Sequence, residues 1–233
     1  MISGDCLMTL TGHTMGVYKI AELSKNRLVS FSVDRSIRLW SLETGKCLKQ
    51  IKVVFKIKDK QSIGSIKIIS NEMMVCGRSK VIDIYDLDTG ILVKSLFGHV
   101  DYVICVDELL NGNIVSASWD KTIKIWNWKS GKCLQTIKES VQIGSVLCML
   151  VLSNDILITG SSEKTIKIWD IKCNKLLNTL IGHNDTISCL AAISDDRICS
   201  GSWDGTIKIW DLASSSCLQT ISNAGNVYSL KYF

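Results

Sequence analysis

The chain has no proline, no helix-length amphipathic segment and no apolar run longer than Val146 to Leu152. A membrane-spanning helix needs roughly 20 predominantly apolar residues, so no membrane segment is expected. Met1 to Asp5 carry no basic stretch leading into an apolar run, so no secretory signal is expected either. No C-x-x-C pair occurs, which removes the paired knuckles of the commoner zinc sites, and no metal is assigned. The phosphate-cradling patterns G-x-x-x-x-G-K-S/T and G-x-G-x-x-G are both missing, so no cofactor is expected. The net charge of +5 is mild and its lysines are scattered. Nucleic-acid binding usually shows a concentrated basic patch, so that class of partner is not expected. Asp83, Asp86 and Asp88, with Gly90, lack the glycine and distal glutamate of an EF-hand loop and read as strand-end and turn aspartates.

What remains is 46% hydrophobic and 21% charged, a globular composition, and it repeats. The phrase Ser-Ala-Ser-Trp-Asp-Lys-Thr-Ile-Lys-Ile-Trp ends at Trp126. Close copies end at Trp169 and Trp210, a fourth ends at Trp40, and a weaker fifth, Val-Ile-Asp-Ile-Tyr, ends at Tyr85. These aromatics are 45, 41, 43 and 41 residues apart. Gly-His occurs at residues 12–13, 98–99 and 182–183, and each histidine precedes a repeat tryptophan by 27 residues. Those are the only three histidines. Within a repeat, Thr-Ile-Lys-Ile-Trp alternates apolar and polar residues with the period of a half-buried strand. Asp-Lys-Thr or Asp-Gly-Thr before it is turn chemistry. The chain therefore reads as all-β.

Four of the ten cysteines follow the same repetition. Cys6, Cys47, Cys133 and Cys217 each stand just before a leucine in one local phrase. A residue recurring at one repeat position is a packing choice, and free cysteine packs as a small buried hydrophobe. A reducing, intracellular compartment fits this usage: the cytoplasm, with the nucleus as alternative.

A period of 40 to 45 residues with Gly-His, serine, aspartate and Trp-Asp in fixed order resembles the WD40 (WD-repeat) family. The resemblance implies an all-β propeller with five recognisable four-stranded repeats and terminal strands of an incomplete sixth blade. It forms one domain over 1–233. The repeats fall at about 11–52, 53–96, 97–137, 138–180 and 181–221, with stray blade strands at 1–10 and 222–233. Repeat two departs from the pattern: it lacks Gly-His, with Gly77 at the serine position and Ser79 at the aspartate position. Repeat four also lacks Gly-His and has Glu163 for the turn aspartate. Blades two and four are therefore expected to be the softer part of the ring. Because propellers usually close with complete blades, the chain is either a fragment of a larger ring or a ring that is open or irregular. A truncated or incomplete ring is expected, and an open one would expose strand edges that invite pairing with another chain.

The resemblance also implies a hydrogen-bond network in each good blade, running from the buried tryptophan through a serine to a histidine oriented by the turn aspartate. The expected sets are His13, Ser32, Asp34 and Trp40; His99, Ser118, Asp120 and Trp126; and His183, Ser202, Asp204 and Trp210. Serine, histidine and aspartate together also suit a hydrolase triad. However, the group recurs three times with a tryptophan each time, as a fold-holding unit does, and it uses every histidine. The chain is therefore expected to be non-enzymatic. Lys124, Lys167, Lys208 and Arg38, two residues before the tryptophans, read as a solvated strand face.

Trp119 and Trp203 stand just before turn aspartates, outside the alternating strands. Exposed tryptophan is enriched at binding hot spots. By resemblance these turns lie on the top face of the propeller, where Tyr102, Thr186, Asp101 and Asp185 are their neighbours and where partners dock. The expected function is a protein-interaction scaffold holding a peptide or protein segment on that face. A substrate-recognition subunit of a multi-subunit assembly, such as a ubiquitin ligase, is the alternative.

Overall fold

Alternating Ile-Lys-Ile and Ile-Val-Ser segments separated by tight turns have only one way to bury their apolar faces: as stacked antiparallel sheets. A computed structural model shows five of them, each of four strands in sequence order. It describes residues 6–23, 26–52, 64–138, 145–152, 155–222 and 225–230. Blade one is β1 (Val17–Leu23), β2 (Arg27–Ser32), β3 (Ser36–Ser41) and β4 (Cys47–Lys52). Blade two is β5 (Ser65–Ile69), β6 (Met73–Arg78), β7 (Val81–Asp86) and β8 (Leu92–Phe97), with a single 3-10 turn at Ser70–Glu72. Blade three is β9 (Val103–Glu108), β10 (Ile114–Ser118), β11 (Thr122–Asn127) and β12 (Lys132–Lys138). Blade four is β13 (Val146–Val151), β14 (Ile156–Ser161), β15 (Thr165–Asp170) and β16 (Lys175–Ile181). Blade five is β17 (Ile187–Ala192), β18 (Arg197–Ser202), β19 (Thr206–Asp211) and β20 (Ser216–Ser222). Of the stray strands, residues 6–10 and 226–230 are described and join no ladder, while 1–5 and 231–233 lie outside the described residues.

The first strand of each blade faces the axis, and β1, β5, β9, β13 and β17 pack in succession. One repeat position, occupied by Lys19, Ser65, Cys105, Cys148, Cys189 and Ser229, lines a central opening of about 340 Å³. Lys67 and Asp107, from the neighbouring first strands β5 and β9, form an ion pair in its lining, 2.7 Å apart.

Between blades the core is mainly aliphatic, with the repeat aromatic of the following blade at each interface and Phe31 as a second buried ring between blades one and two. Ile166, Ile168 and Leu180 of blade four meet Ile187, Ile198 and Trp210 of blade five. Blades one and two, two and three, and three and four repeat the pattern. Small residues allow the close approach: a Cβ on Gly160 would stand 2.6 Å from a methyl of Ile187.

The structure corrects the reading of the cysteines. Cys6, Cys47, Cys133 and Cys217 are exposed. Register shifts in β3–β4, β11–β12 and β19–β20 put the last three at bulges of the outermost strand. There each thiol donates to a carbonyl two residues on, as Cys47 does to Lys49 at 3.3 Å. The buried thiols are Cys76 and the axial residues Cys105, Cys148 and Cys189. Burial pushes Cys105 up to about 12 and raises Cys148 and Cys189 as well, so these three are protonated. The lysines expected on a solvated face are half-buried; the Lys124 and Lys208 ammonium groups reach the Thr136 and Thr220 hydroxyls at 2.9 and 2.8 Å.

Candidate functional site

The turns joining the second and third strands of the blades carry both polar networks and exposed aromatics. In blade three the Trp126 indole N–H donates to Ser116 Oγ at 2.8 Å. Ser116 Oγ lies 2.8 Å from His99 Nε2, and His99 Nδ1 lies 2.7 Å from Asp120 Oδ2. Blade one repeats this with Trp40, Ser30, His13 and Asp34, and blade five with Trp210, Ser200, His183 and Asp204. A hydroxyl at the start of the third strand (Ser36, Thr122 or Thr206) donates to the other carboxylate oxygen at 2.6 Å.

The acceptor serine is therefore not the one expected. Ser32, Ser118 and Ser202 stand two residues later and have a different task. Each accepts the amide of the turn aspartate and donates to the carbonyl of Met15, Asp101 or Asp185. The ladder explains the correction. Trp126 pairs with Ile114, so the next side chain on that face is Ser116. Ser118 is four residues from Ile114, roughly 13 Å along a strand rising about 3.3 Å per residue.

Electrostatics fix the protonation states. Burial opposes ionisation of Asp34, Asp120 and Asp204, yet the hydroxyl, amide and imidazole donors outweigh it and hold each below the usual carboxylate range. Burial lowers His99 and His183 below the ordinary value of 6.5, against the pull of their aspartates. With neutral imidazole, Nδ1–H donates to the carboxylate and Nε2 accepts from serine, which completes a one-directional relay of bonds. Both groups act in the same direction on stability. The unfolded chain takes up protons at these histidines below about pH 6.5 while the folded chain does not, so stability falls as pH drops through that value. The carboxylates add a second loss below their unfolded value of 3.8. A melting-temperature series from pH 8 to pH 5 should decline from near pH 6.5; a rise over that interval would contradict the neutral-imidazole assignment.

This geometry is unsuited to hydrolysis. Ser116 and Ser200 are wholly buried, and each oxygen is already held by an indole and an imidazole, whereas a nucleophile must reach substrate.

Blades two and four are built differently. In blade four the Trp169 indole donates to Thr159 Oγ1 at 3.0 Å, and buried Thr165 Oγ1 has no partner among the described residues. In blade two Tyr85 pairs with Met74, so the serine position is taken by Cys76 rather than Gly77. The hairpin closes at Arg78–Val81, which leaves Ser79 as a turn residue with a φ of 42° rather than a carboxylate substitute. Asp83, expected at a strand end, is fully buried. Its carboxylate pairs with Arg78 and accepts the Ser95 hydroxyl at 2.6 Å. Blade two thus has its own polar centre, which sequence reasoning missed. Asp86 does cap a turn, at the Thr89 amide, and Asp88 pairs with Arg27.

On the surface above these networks, Trp119 and Trp203 are 46% and 43% exposed. Their amides are tied to the carbonyls of Tyr102 and Thr186 at 2.8 and 3.0 Å, so rigid backbone presents both rings. Trp119 meets the Tyr102 ring edge-on, with centroids 5.1 Å apart. Asp101 and Asp185 accept the amides of Tyr102 and Thr186. Thr186 itself is buried: its short side chain sits beneath the turn that carries Trp203, so it offers no contact surface. Two exposed neighbours were not anticipated. Val33 occupies the Trp119 position in blade one, and Val100 follows His99. Their apolar character at turn positions was the available signal.

Comparison with known proteins agrees with this architecture. The family described as WD domain, G-beta repeat, matches residues 4–41, 90–127, 131–170 and 174–211. Pre-mRNA-processing factor 17 of Mus musculus is 32% identical over 142 residues, covering 54% of this chain and 22% of that protein. Autophagy-related protein 16 of Arabidopsis thaliana is 25% identical over 144 residues, covering 58% and 27%. U4/U6 small nuclear ribonucleoprotein PRP4 of Saccharomyces cerevisiae is 34% identical over 76 residues, covering 32% and 15%. The matched stretches thus span about a quarter or less of each relative.

Proposed function

The chain belongs to the WD-repeat family, and from that premise we propose that it is a non-catalytic scaffold that holds a peptide or protein segment on the face bearing Trp119 and Trp203. The observation that carries this reading is the pair of half-exposed indoles on turns whose backbone amides are all hydrogen-bonded. Aromatic anchors held rigid lose little entropy on binding and are the residues most enriched at hot spots. Tyr102 widens the blade-three anchor, and Asp101 and Asp185 place carboxylates beside the rings, which favours a segment with basic residues near its apolar side chains. Relatives named as a pre-mRNA-processing factor, a small nuclear ribonucleoprotein and an autophagy-related protein favour a place in a multi-protein assembly, in the nucleus or the cytoplasm. Catalysis is not proposed, because the histidines are committed to holding the blades.

The test is the double variant Trp119→Ala, Trp203→Ala. Neither ring fills the core, so its melting temperature should stay close to that of the parent chain. Partners recovered by affinity capture of the parent should be lost, and binding of an identified partner measured by calorimetry should weaken at least tenfold. Equal recovery and unchanged affinity would place the docking surface elsewhere.

A further inference from the structure

On the third and fourth strands of blade three, Thr122 pairs with Lys138 and Lys124 with Thr136. Alternation puts these four side chains on the sheet face that carries Trp126. The segment leaving β8 crosses that face: a Cβ on Gly98 would stand 3.1 Å from the Trp126 ring. A hollow of about 350 Å³ lies there, and its lining includes Gly98, Val100, Lys121, Lys124 and Lys138. The Lys124 ammonium is fixed by the Thr136 hydroxyl at 2.9 Å, a bond that uses one of its three donors.

Among the described residues none of these three lysines pairs with a carboxylate. Asp120 also lines the hollow. Its side chain is only 3% exposed, however, and its oxygens are taken by His99, the Thr122 hydroxyl and the Val100 and Thr122 amides. Three like charges therefore surround one space, and an anion placed there offsets their mutual repulsion. The other two blades with a complete network differ. At the same positions blade five has Asn184, Gly205, Lys208 and Ser222, a single cation. Blade one has Arg35, Arg38 and Lys52, but there the Arg38 guanidinium itself fills the space. Its carbon stands 5.9 Å from the centre of the Trp40 ring, and a Cβ on Gly12 would come within 2.7 Å of its Nη1.

We propose that this cleft binds a phosphate monoester carried on a serine or threonine of the segment that docks on Trp119. The inference rests on the scaffold reading and adds the chemistry of the segment. A phosphate monoester brings a charge of about −1.5 to −2 and three acceptor oxygens. It meets three ammonium groups, which act as point charges and require no planar partner. One compact hollow suits one phosphate, whereas a nucleic-acid groove tracks a succession of them. The groups beside the cleft are apolar: Val100 is 70% exposed, and Trp119 stands two residues before Lys121 on the same turn. The bound segment therefore carries its phosphorylated residue next to its apolar anchor.

The first probe is O-phospho-L-serine, titrated at constant ionic strength into the isotope-labelled 233-residue chain and followed by amide NMR. Saturable shifts of the Val100, Lys121 and Thr122 amides are expected, and serine should cause none. Lys124→Met with Lys138→Met keeps the aliphatic stems, and should weaken binding about tenfold or more with circular dichroism unchanged. Lys138→Met alone, at an exposed position, should give part of that loss. Lys172→Met, which removes an exposed cation from a turn of blade four, should give none. The variant lacking both Trp119 and Trp203 should bind phosphoserine as the parent does, so failure of the cleft and failure of the scaffold face are told apart. The second probe is a library of peptides with a fixed phosphoserine and random flanks. The parent chain should select apolar residues beside the phosphoserine, and the double tryptophan variant should lose that selection while still requiring the phosphate. The proposal is overturned if serine shifts the same amides, if the lysine pair makes no difference, or if Lys172→Met weakens binding equally. Phosphoserine binding without apolar selection by the parent, or tighter binding of a short oligouridylate than of the library, would also overturn it.

Discussion

Asp83→Ala is expected to destabilise the protein by about 3–5 kcal/mol, the usual cost of removing one partner of a buried ion pair. The carboxylate is inaccessible to water, receives the Ser95 hydroxyl and pairs with Arg78, whose side chain is only 13% exposed. Alanine takes away the buried carboxylate that the Arg78 guanidinium pairs with. Burial already works against the charged form of Arg78, and the hydrogen bond and charge of Asp83 reverse that, so its pKa lies above the ordinary value. For a chain of this size the loss corresponds to a fall in melting temperature of roughly 6–20 °C. The test of cause is a triple variant, Arg78→Met, Asp83→Leu and Ser95→Ala, which removes these three side chains together. It should recover most of the loss, because replacing a whole buried pair by apolar residues is often close to neutral. If the triple variant is as unstable as Asp83→Ala, the effect comes from packing volume and not from charge.

Trp126→Ala should cost a similar amount, about 3–5 kcal/mol, by a different route. The ring is 1% exposed and fills the interface between blades two and three beside Ile82, Ile84 and Leu96. Its removal leaves a cavity and also takes the donor from Ser116 Oγ, at the head of the relay to His99 and Asp120. Trp126→Phe separates the two contributions. It keeps most of the apolar volume and loses only the indole N–H, so about 1–3 kcal/mol is expected. Chemical denaturation of the two variants beside Trp119→Ala gives the ranking: alanine at 126 worst, phenylalanine intermediate, and alanine at 119 close to the parent. Equal effects at 119 and 126 would mean that the exposed ring supports the fold and is not held for a partner.

The blades were legible in the sequence because two periodicities coincide there. Alternation in Thr122–Trp126 sets a strand, and the recurrence of Gly-His 27 residues before Trp40, Trp126 and Trp210 sets the unit that stacks. The network was half legible. Histidine is unique within a good repeat, and the turn aspartate and strand-end tryptophan hold fixed places in the repeated phrase, but serine occurs twice on the same face of the second strand. Only the pairing of Trp40 with Leu28 distinguishes Ser30 from Ser32. Blade two was not legible for a related reason. Its hairpin is one residue tighter, so aligning it by equal spacing put Gly77 and Ser79 in the wrong places and hid the pairing of Arg78 with Asp83. The exposed thiols of Cys47, Cys133 and Cys217 depend on outer-strand bulges, which no hydropathy pattern announces. Thr186 looked equivalent to Tyr102 by position and differs from it only in reach.

The two populations of cysteine give the molecule a built-in gauge of its own opening. The rim thiols stand in solvent, while those around the axis are shielded and protonated. A thiol-directed reagent applied in a brief pulse would modify the rim at once, reach Cys105, Cys148 and Cys189 through the opening they line, and reach Cys76, buried between blades one and two, only when those blades part. The mass added at Cys76 over time would then report how often the ring breathes, without any label having to be engineered.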